Sequence, residues 1–81
     1  MKNTALITGG SERIGKVICE SIARKGWNVV IHYNKSKTSA FSLKNKLNSY
    51  NVKSYCIKAD LSKDIELKKL FIKAKKEMGN I

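Results

Sequence analysis

The sequence predicts a three-layer α/β fold on a parallel sheet with strand order 3-2-1. Two observations carry this. The hydrophobic period switches regularly between short β-rich runs and helical stripes, giving β-α-β-α-β-α over 81 residues. No repeat, linker or low-complexity stretch interrupts the alternation. Strands that alternate with helices pair in parallel through right-handed crossovers, which fixes this order for half of a doubly wound sheet.

Each element has its own signal. Residues 3–8 (N-T-A-L-I-T) read as a short buried strand. Ile14, Val17, Ile18, Ser21 and Ile22 fall at i, i+3, i+4, i+7 and i+8, one stripe of a first helix, and Gly26 is placed to end it. Residues 27–33 (W-N-V-V-I-H-Y) are β-branched and aromatic and read as a second strand, with Trp27 in the core. After the polar N-K-S-K loop, Ala40, Leu43 and Leu47 form a narrower stripe from Thr38, with Phe41 at its edge. Residues 52–58 (V-K-S-Y-C-I-K) are the third strand. Ser62 is placed as the N-cap of a third helix, with Asp64 and Glu66 near its positive end. Leu67, Leu70, Phe71, Ala74 and Met78 give that helix its stripe, and Gly79 ends it.

Composition narrows the function. The net charge is +11, with 15 lysines and 2 arginines. Base readout favours arginine forks, and the lysines are scattered over polar helix faces, so a nucleic-acid role is disfavoured while an anionic small ligand fits. Cys19 and Cys56 sit in apolar-periodic segments and read as buried thiols rather than a disulfide framework, which implies a reducing, cytoplasmic setting. The first residues hold too short an apolar run for a signal peptide or a membrane span, so a soluble protein is expected. One histidine and two core cysteines offer no metal cluster. Tyr33, Tyr50 and Tyr55 read as packing residues; His32, at a strand end, reads as a structural hydrogen-bonding residue, with a cofactor contact as the alternative.

The chemistry lies in T-G-G-S-E-R-I-G at 8–15. A strand, a glycine turn and a helix aim backbone N–H groups and the helix's positive end at one spot, which suits a pyrophosphate. Gly9 makes the tight turn and Gly15 lets the helix pack against the strand. Arg13 stands where a further glycine is expected. Its planar fork can bridge phosphate to an electron-rich ring, or it can simply be a surface residue of the helix.

These residues resemble the T-G-x-x-x-G-x-G turn of the short-chain dehydrogenases/reductases, single-domain Rossmann oxidoreductases that use NAD or NADP. A-D-L-S at 59–62 is similar to that family's third-strand motif. The resemblance implies that Asp60 bonds the adenine amino group and that Leu61 contributes backbone. Arg13 resembles the T-G-x-x-x-R-x-G variant found in pteridine reductases and short-chain dihydrofolate or dihydromonapterin reductases, where an arginine lies near the cofactor phosphates and the pterin site.

The second strand ends His32-Tyr33-Asn34-Lys35-Ser36, and no acid occurs between positions 21 and 59. A carboxylate there would accept a ribose 2′-hydroxyl and repel a 2′-phosphate. Its absence predicts NADP(H), with Asn34, Lys35 and Ser36 at the 2′-phosphate and Ser11 adding a hydroxyl. The same stretch resembles the H-Y-x-R-S of pteridine reductases, with Lys35 at the arginine's position. The expected cofactor-binding set is therefore Gly9, Ser11, Arg13, Ile14, Gly15, Asn34, Lys35, Ser36, Asp60 and Leu61, with Arg13 also facing the substrate.

No catalytic residue is expected in this chain. The family's Tyr-x-x-x-Lys pair and Asn-Asn-Ala-Gly stretch are absent from the sequence; Tyr33 and Lys37 share the spacing but lie at the 2′-phosphate loop. The expectation is a partial Rossmann dinucleotide-binding domain over residues 1–81, truncated before strand 4, with an open first-strand edge. It would be the cofactor-binding half of a reductase acting on a carbonyl or pterin-like small molecule, and the family implies a homo-oligomer. The alternatives are a free-standing dinucleotide module completed by a partner chain and a basic nucleic-acid-binding fragment.

Overall fold

The computed structural model describes residues 3–9 and 12–79. Three strands, β1 (Thr4–Ile7), β2 (Asn28–Tyr33) and β3 (Ser54–Lys58), form one sheet in the order β1-β2-β3, the predicted 3-2-1 read from its other edge. Both pairings are parallel. Ala5 lies opposite Val29 and Leu6 opposite Val30, while Ile31 lies opposite Cys56 and Tyr33 opposite Lys58. The helices are α1 (Arg13–Arg24), α2 (Lys37–Leu47) and α3 (Asp64–Met78), with a single 3-10 turn at Asn48–Tyr50 after α2.

Alternation along β2 builds a core on each side of the sheet. Val29, Ile31 and Tyr33 join Cys19 and Ala23 of α1 and Ala40, Leu43 and Leu47 of α2 on one face. Val30 joins Ile57, Ala59, Leu70 and Ala74 on the other, where α3 is the covering helix. The central strand is buried on both faces, as a continuous apolar run in a parallel sheet should be.

Helix α1 corrects one expectation. The stripe Ile14, Val17, Ile18 does not face the sheet: Ile14 is 77% exposed, Val17 65% and Ile18 42%. The buried face is Gly15, Cys19 and Ala23, at i, i+4 and i+8. Small side chains let the helix axis come close to the strands, and the bulkier stripe then points away. Phe71 is likewise exposed on α3, where Leu70 and Ala74 are the buried pair. Trp27 is 39% exposed rather than core, beside a shallow cleft with Ile22 and Lys25. The α2 stripe is as expected, with Ala40, Leu43 and Leu47 buried and Phe41 at the edge.

The ends of α1 and α3 follow local chemistry. Past α1, Gly26 takes φ +88°, donating its N–H to Ala23 while Trp27 donates to Ile22. Two last-turn carbonyls are thereby satisfied, in the pattern that favours glycine at this place. Asp64 and Glu66 lie in the first turn of α3, and Lys75 and Lys76 in the last, each favourable to the helix dipole. Between helices, Lys46 of α2 meets Glu20 of α1 at 2.9 Å, and Arg24 lies over the Tyr50 ring.

Candidate functional site

Because all three strands run parallel, the segments that follow them emerge at one edge of the sheet. Gly9 follows β1, Asn34-Lys35-Ser36 follows β2, and Asp60-Leu61 follows β3. This edge is where open α/β sheets bind ligands. Nine of the ten residues expected to contact a cofactor therefore lie along it or on the first turn of α1; Ser11 lies outside the described residues.

The turn after β1 has the shape its glycine implies. Gly9 takes φ +64°, and its carbonyl accepts the Glu12 N–H at 3.0 Å. Arg13 is the first residue of α1 and is exposed, as is Ile14, whereas Gly15 is buried against the sheet. The first turn of α1 contains no acid. A helix start carries unpaired N–H groups and a partial positive charge, to which Arg13 adds a full one. This concentration of positive charge suits an anion.

A cleft of about 390 Å³ opens beside the end of β2, lined by Tyr33, Asn34, Lys35, Lys37 and Lys58. Three lysines thus border it. Sequence reasoning identified Lys35 but not Lys58, which comes from β3; its signal is the parallel register that sets Lys58 opposite Tyr33. A larger cleft of about 480 Å³, lined by Asn28, Asn48, Asn51, Val52 and Lys53, lies at the opposite ends of the strands, away from the glycine turn.

The sequence reading also overlooked an acid. Within the span 21–59 none occurs, but Glu12, from the glycine turn, reaches across to the β2 loop. Its Oε1 accepts the Ser36 hydroxyl at 3.3 Å. Glu12 is the N-cap residue of α1, with extended backbone, yet its carboxylate makes no bond to the helix's own N–H groups. The carboxylate and the lysine cleft therefore share the Asn34–Ser36 loop.

After β3, Asp60 organises its own loop. Its Oδ1 accepts the Ser62 hydroxyl at 2.7 Å and the Ser62 N–H at 3.0 Å, and its carbonyl accepts the Lys63 N–H. The Ser62 bonds hold the Asp60 carboxyl below the usual aspartate range. Ser62 is consequently not the N-cap of α3. That position is Lys63, and Ser62 is turned back to Asp60. Glu66, in the first turn of α3, accepts the Asp60 N–H at 2.9 Å.

His32 ties these segments together. It is 5% exposed, on the central strand. Its Nδ1 accepts the Gly9 N–H at 2.9 Å, and its Nε2 lies 2.8 Å from the Ala59 carbonyl. It is a structural histidine, the first of the two readings its position allows.

Elsewhere, Cys19 is buried and Cys56 half-buried, and neither forms a disulfide. Among the described residues no group of His, Cys, Asp or Glu could hold a metal ion, and no helix is long and apolar enough to cross a membrane.

The model of the family described as short chain dehydrogenase matches residues 3–81. The chain is 31% identical over 81 residues to a 3-oxoacyl-[acyl-carrier-protein] reductase, FabG, of Staphylococcus epidermidis, covering all of this chain and 33% of that one. In structure it is similar to a dehydrogenase of Burkholderia cenocepacia with bound NADP, with TM-score 0.95 and 29% identity over 99% of this chain and 31% of that one. It is also similar to FolM alternative dihydrofolate reductase 1 of Brucella canis complexed with NADP, with TM-score 0.86 and 34% identity over 95% of this chain and 31% of that one. The chain spans about a quarter to a third of the length of the curated relatives it matches.

Proposed function

The chain belongs to the short-chain dehydrogenase family, and from that membership we propose that it is the NADP(H)-binding part of a longer oxidoreductase. The observation that carries the cofactor assignment is the lysine-bordered cleft at the end of β2, one strand from the glycine turn. Lys35, Lys37 and Lys58 there suit a dianionic 2′-phosphate, and Asn34 and Ser36 supply neutral hydrogen-bonding groups. The start of α1, with Arg13, Ile14 and Gly15, would take the pyrophosphate, and Asp60 with Leu61 the adenine side. The two NADP-bound structural relatives support this reading.

When bound, NADPH supplies the hydride. This chain's residues would bind and orient it, and the proton donor and the substrate walls other than Arg13 would belong to a further part of the protein. The exposed apolar face of Ile14, Val17 and Ile18 supports such a part, since contiguous apolar surface of this kind is ordinarily covered.

Within the family we assign the chain to the pterin- and folate-reducing group, on the strength of Arg13 in the turn and His32-Tyr33 at the end of β2, with the similarity to the Brucella enzyme in support. The substrate is then a flat, electron-rich heterocycle against which the Arg13 fork can stack.

Titration with adenosine 2′,5′-bisphosphate and with AMP tests the cofactor. We expect the 2′-phosphorylated nucleotide to bind at least about fivefold more tightly, on the scale of one exposed charge pair or more. Equal binding of the two would overturn the NADP(H) assignment. For the substrate, NADPH oxidation by the full-length protein with a dihydropterin should exceed that with a 3-oxoacyl thioester; the reverse order would move the assignment to acyl reduction.

A further inference from the structure

His32 does more than fill the end of the central strand. β2 is flanked by β1 on one side and β3 on the other, so its last residues stand between the segments leaving both neighbours. The ring bridges those segments. On one side it receives the Gly9 N–H at 2.9 Å; on the other it contacts the Ala59 carbonyl at 2.8 Å.

The partners dictate the state of the ring. A backbone N–H can only donate, so Nδ1 must present a lone pair. A carbonyl can only accept, so Nε2 must carry the hydrogen. Both contacts therefore require the neutral Nε2–H tautomer, and no other form makes both bonds.

The bonds also assign work to the turn. The Gly9 N–H is committed to the ring, so Gly9 contributes shape, a φ of +64°, and the phosphate-facing donors are left to the start of α1. Ala59 immediately precedes Asp60 and Leu61, so the same ring fixes where the adenine-side loop begins.

We propose that His32 is a positioning residue for the dinucleotide site, setting the phosphate turn through Gly9 and the adenine-side loop through Ala59. It touches neither cofactor nor substrate. The inference rests on the nucleotide-binding reading above.

Two conservative variants separate the two bonds. In His32→Asn the side chain keeps an acceptor near the Nδ1 place and loses the reach to Ala59. In His32→Gln it keeps a donor near the Nε2 place and leaves the Gly9 N–H unpaired. Since the Gly9 link sets the phosphate turn and the Ala59 link the adenine-side loop, NADPH affinity of the full chain should fall about tenfold in both Gln and Asn, each variant leaving one backbone partner of the ring unpaired. Long-range 15N–1H correlation of the parent should show the Nε2–H tautomer, a measurement that needs no variant to fold.

A ring found as Nδ1–H would overturn the proposal, as would equal NADPH affinity across parent, Asn and Gln. Losses that simply follow each variant's stability would do the same, because that is what filling alone predicts. If the parent binds neither NADPH nor adenosine 2′,5′-bisphosphate, the nucleotide reading itself fails and the positioning role falls with it, whatever the tautomer.

Discussion

The Glu12 carboxylate accepts the Ser36 hydroxyl at 3.3 Å, joining the turn after β1 to the loop after β2. A negative group from one element thus stands beside a loop that otherwise offers positive charge and hydroxyl. On the proposed cofactor reading, Glu12 would work against a 2′-phosphate at this place, and it holds the Ser36 hydroxyl that would donate to it.

Glu12→Gln removes the charge and keeps the length. The preference for adenosine 2′,5′-bisphosphate over AMP should rise about two- to fivefold, the scale of one exposed like-charge interaction. The gain should shrink as salt is raised, since exposed charges are screened over about 10 Å at 0.1 M. Titrations at two ionic strengths check both points.

Lys58 comes from β3, a strand that carries no other member of the basic cleft. Lys58→Ala should weaken the 2′-phosphorylated nucleotide about two- to fivefold and leave AMP nearly unchanged, because one exposed ammonium is worth up to about 1 kcal/mol. Loss of AMP binding to the same degree would place Lys58 outside the 2′-phosphate site.

At Gly9, the space that an added Cβ would occupy is open, so sterics with neighbours do not decide the outcome. The backbone does. With φ at +64°, Gly9→Ala should cost about 1–2 kcal/mol of stability. Urea denaturation measures it, and a neutral result would mean the turn relaxes to another conformation.

The Asp60 loop gives a signed pH dependence. Its carboxyl is lowered by the Ser62 hydroxyl and N–H, so its contribution is fully present above the unfolded aspartate value of about 3.9 and is lost as pH falls through the lower folded value. Asp60→Asn should be less stable than the parent at pH 7, and the gap should narrow towards pH 2. Denaturation midpoints at the two pH values check the direction.

Burial, aided by the nearby Cys56 and Glu20, pushes the Cys19 thiol up to about 11, and burial also raises Cys56. At pH 7.4 almost no Cys19 thiolate exists, so alkylation by iodoacetamide should run at least about a hundredfold slower than for a free cysteine. Cys56, only half-buried, should react first. A mass-spectrometric time course distinguishes the two sites.

The architecture was legible because it rests on the period of the pattern. Parallel strands buried on both faces leave long apolar runs, and V-V-I in β2 is such a run. Helix faces were less legible. In α1 the bulky stripe and the small stripe have the same period, and periodicity weighs bulk over closeness of approach, so it singles out Ile14, Val17 and Ile18, which are exposed, rather than the buried Gly15, Cys19 and Ala23. Ser62 shows another limit: an N-cap signal is local, while the bond to Asp60 that turned the serine away depends on the whole 60–63 turn. In the site, Lys35 and Ser36 could be read from a contiguous loop. Glu12, Lys58 and the His32 bridge could not, since each acts on a residue more than twenty positions away or on a different strand.

The ring between Gly9 and Ala59 also makes β2 a strand of fixed length. Side chains alternate faces along it, so inserting or deleting one residue ahead of His32 would carry the imidazole to the α1/α2 side and bring an aliphatic or phenolic side chain to face the two backbone groups. Neither could replace both bonds. Substitutions that keep residue type are tolerable along much of β2, whereas single-residue indels would disconnect the strand from its neighbours' exits. The strand works as a ruler whose last mark is the histidine.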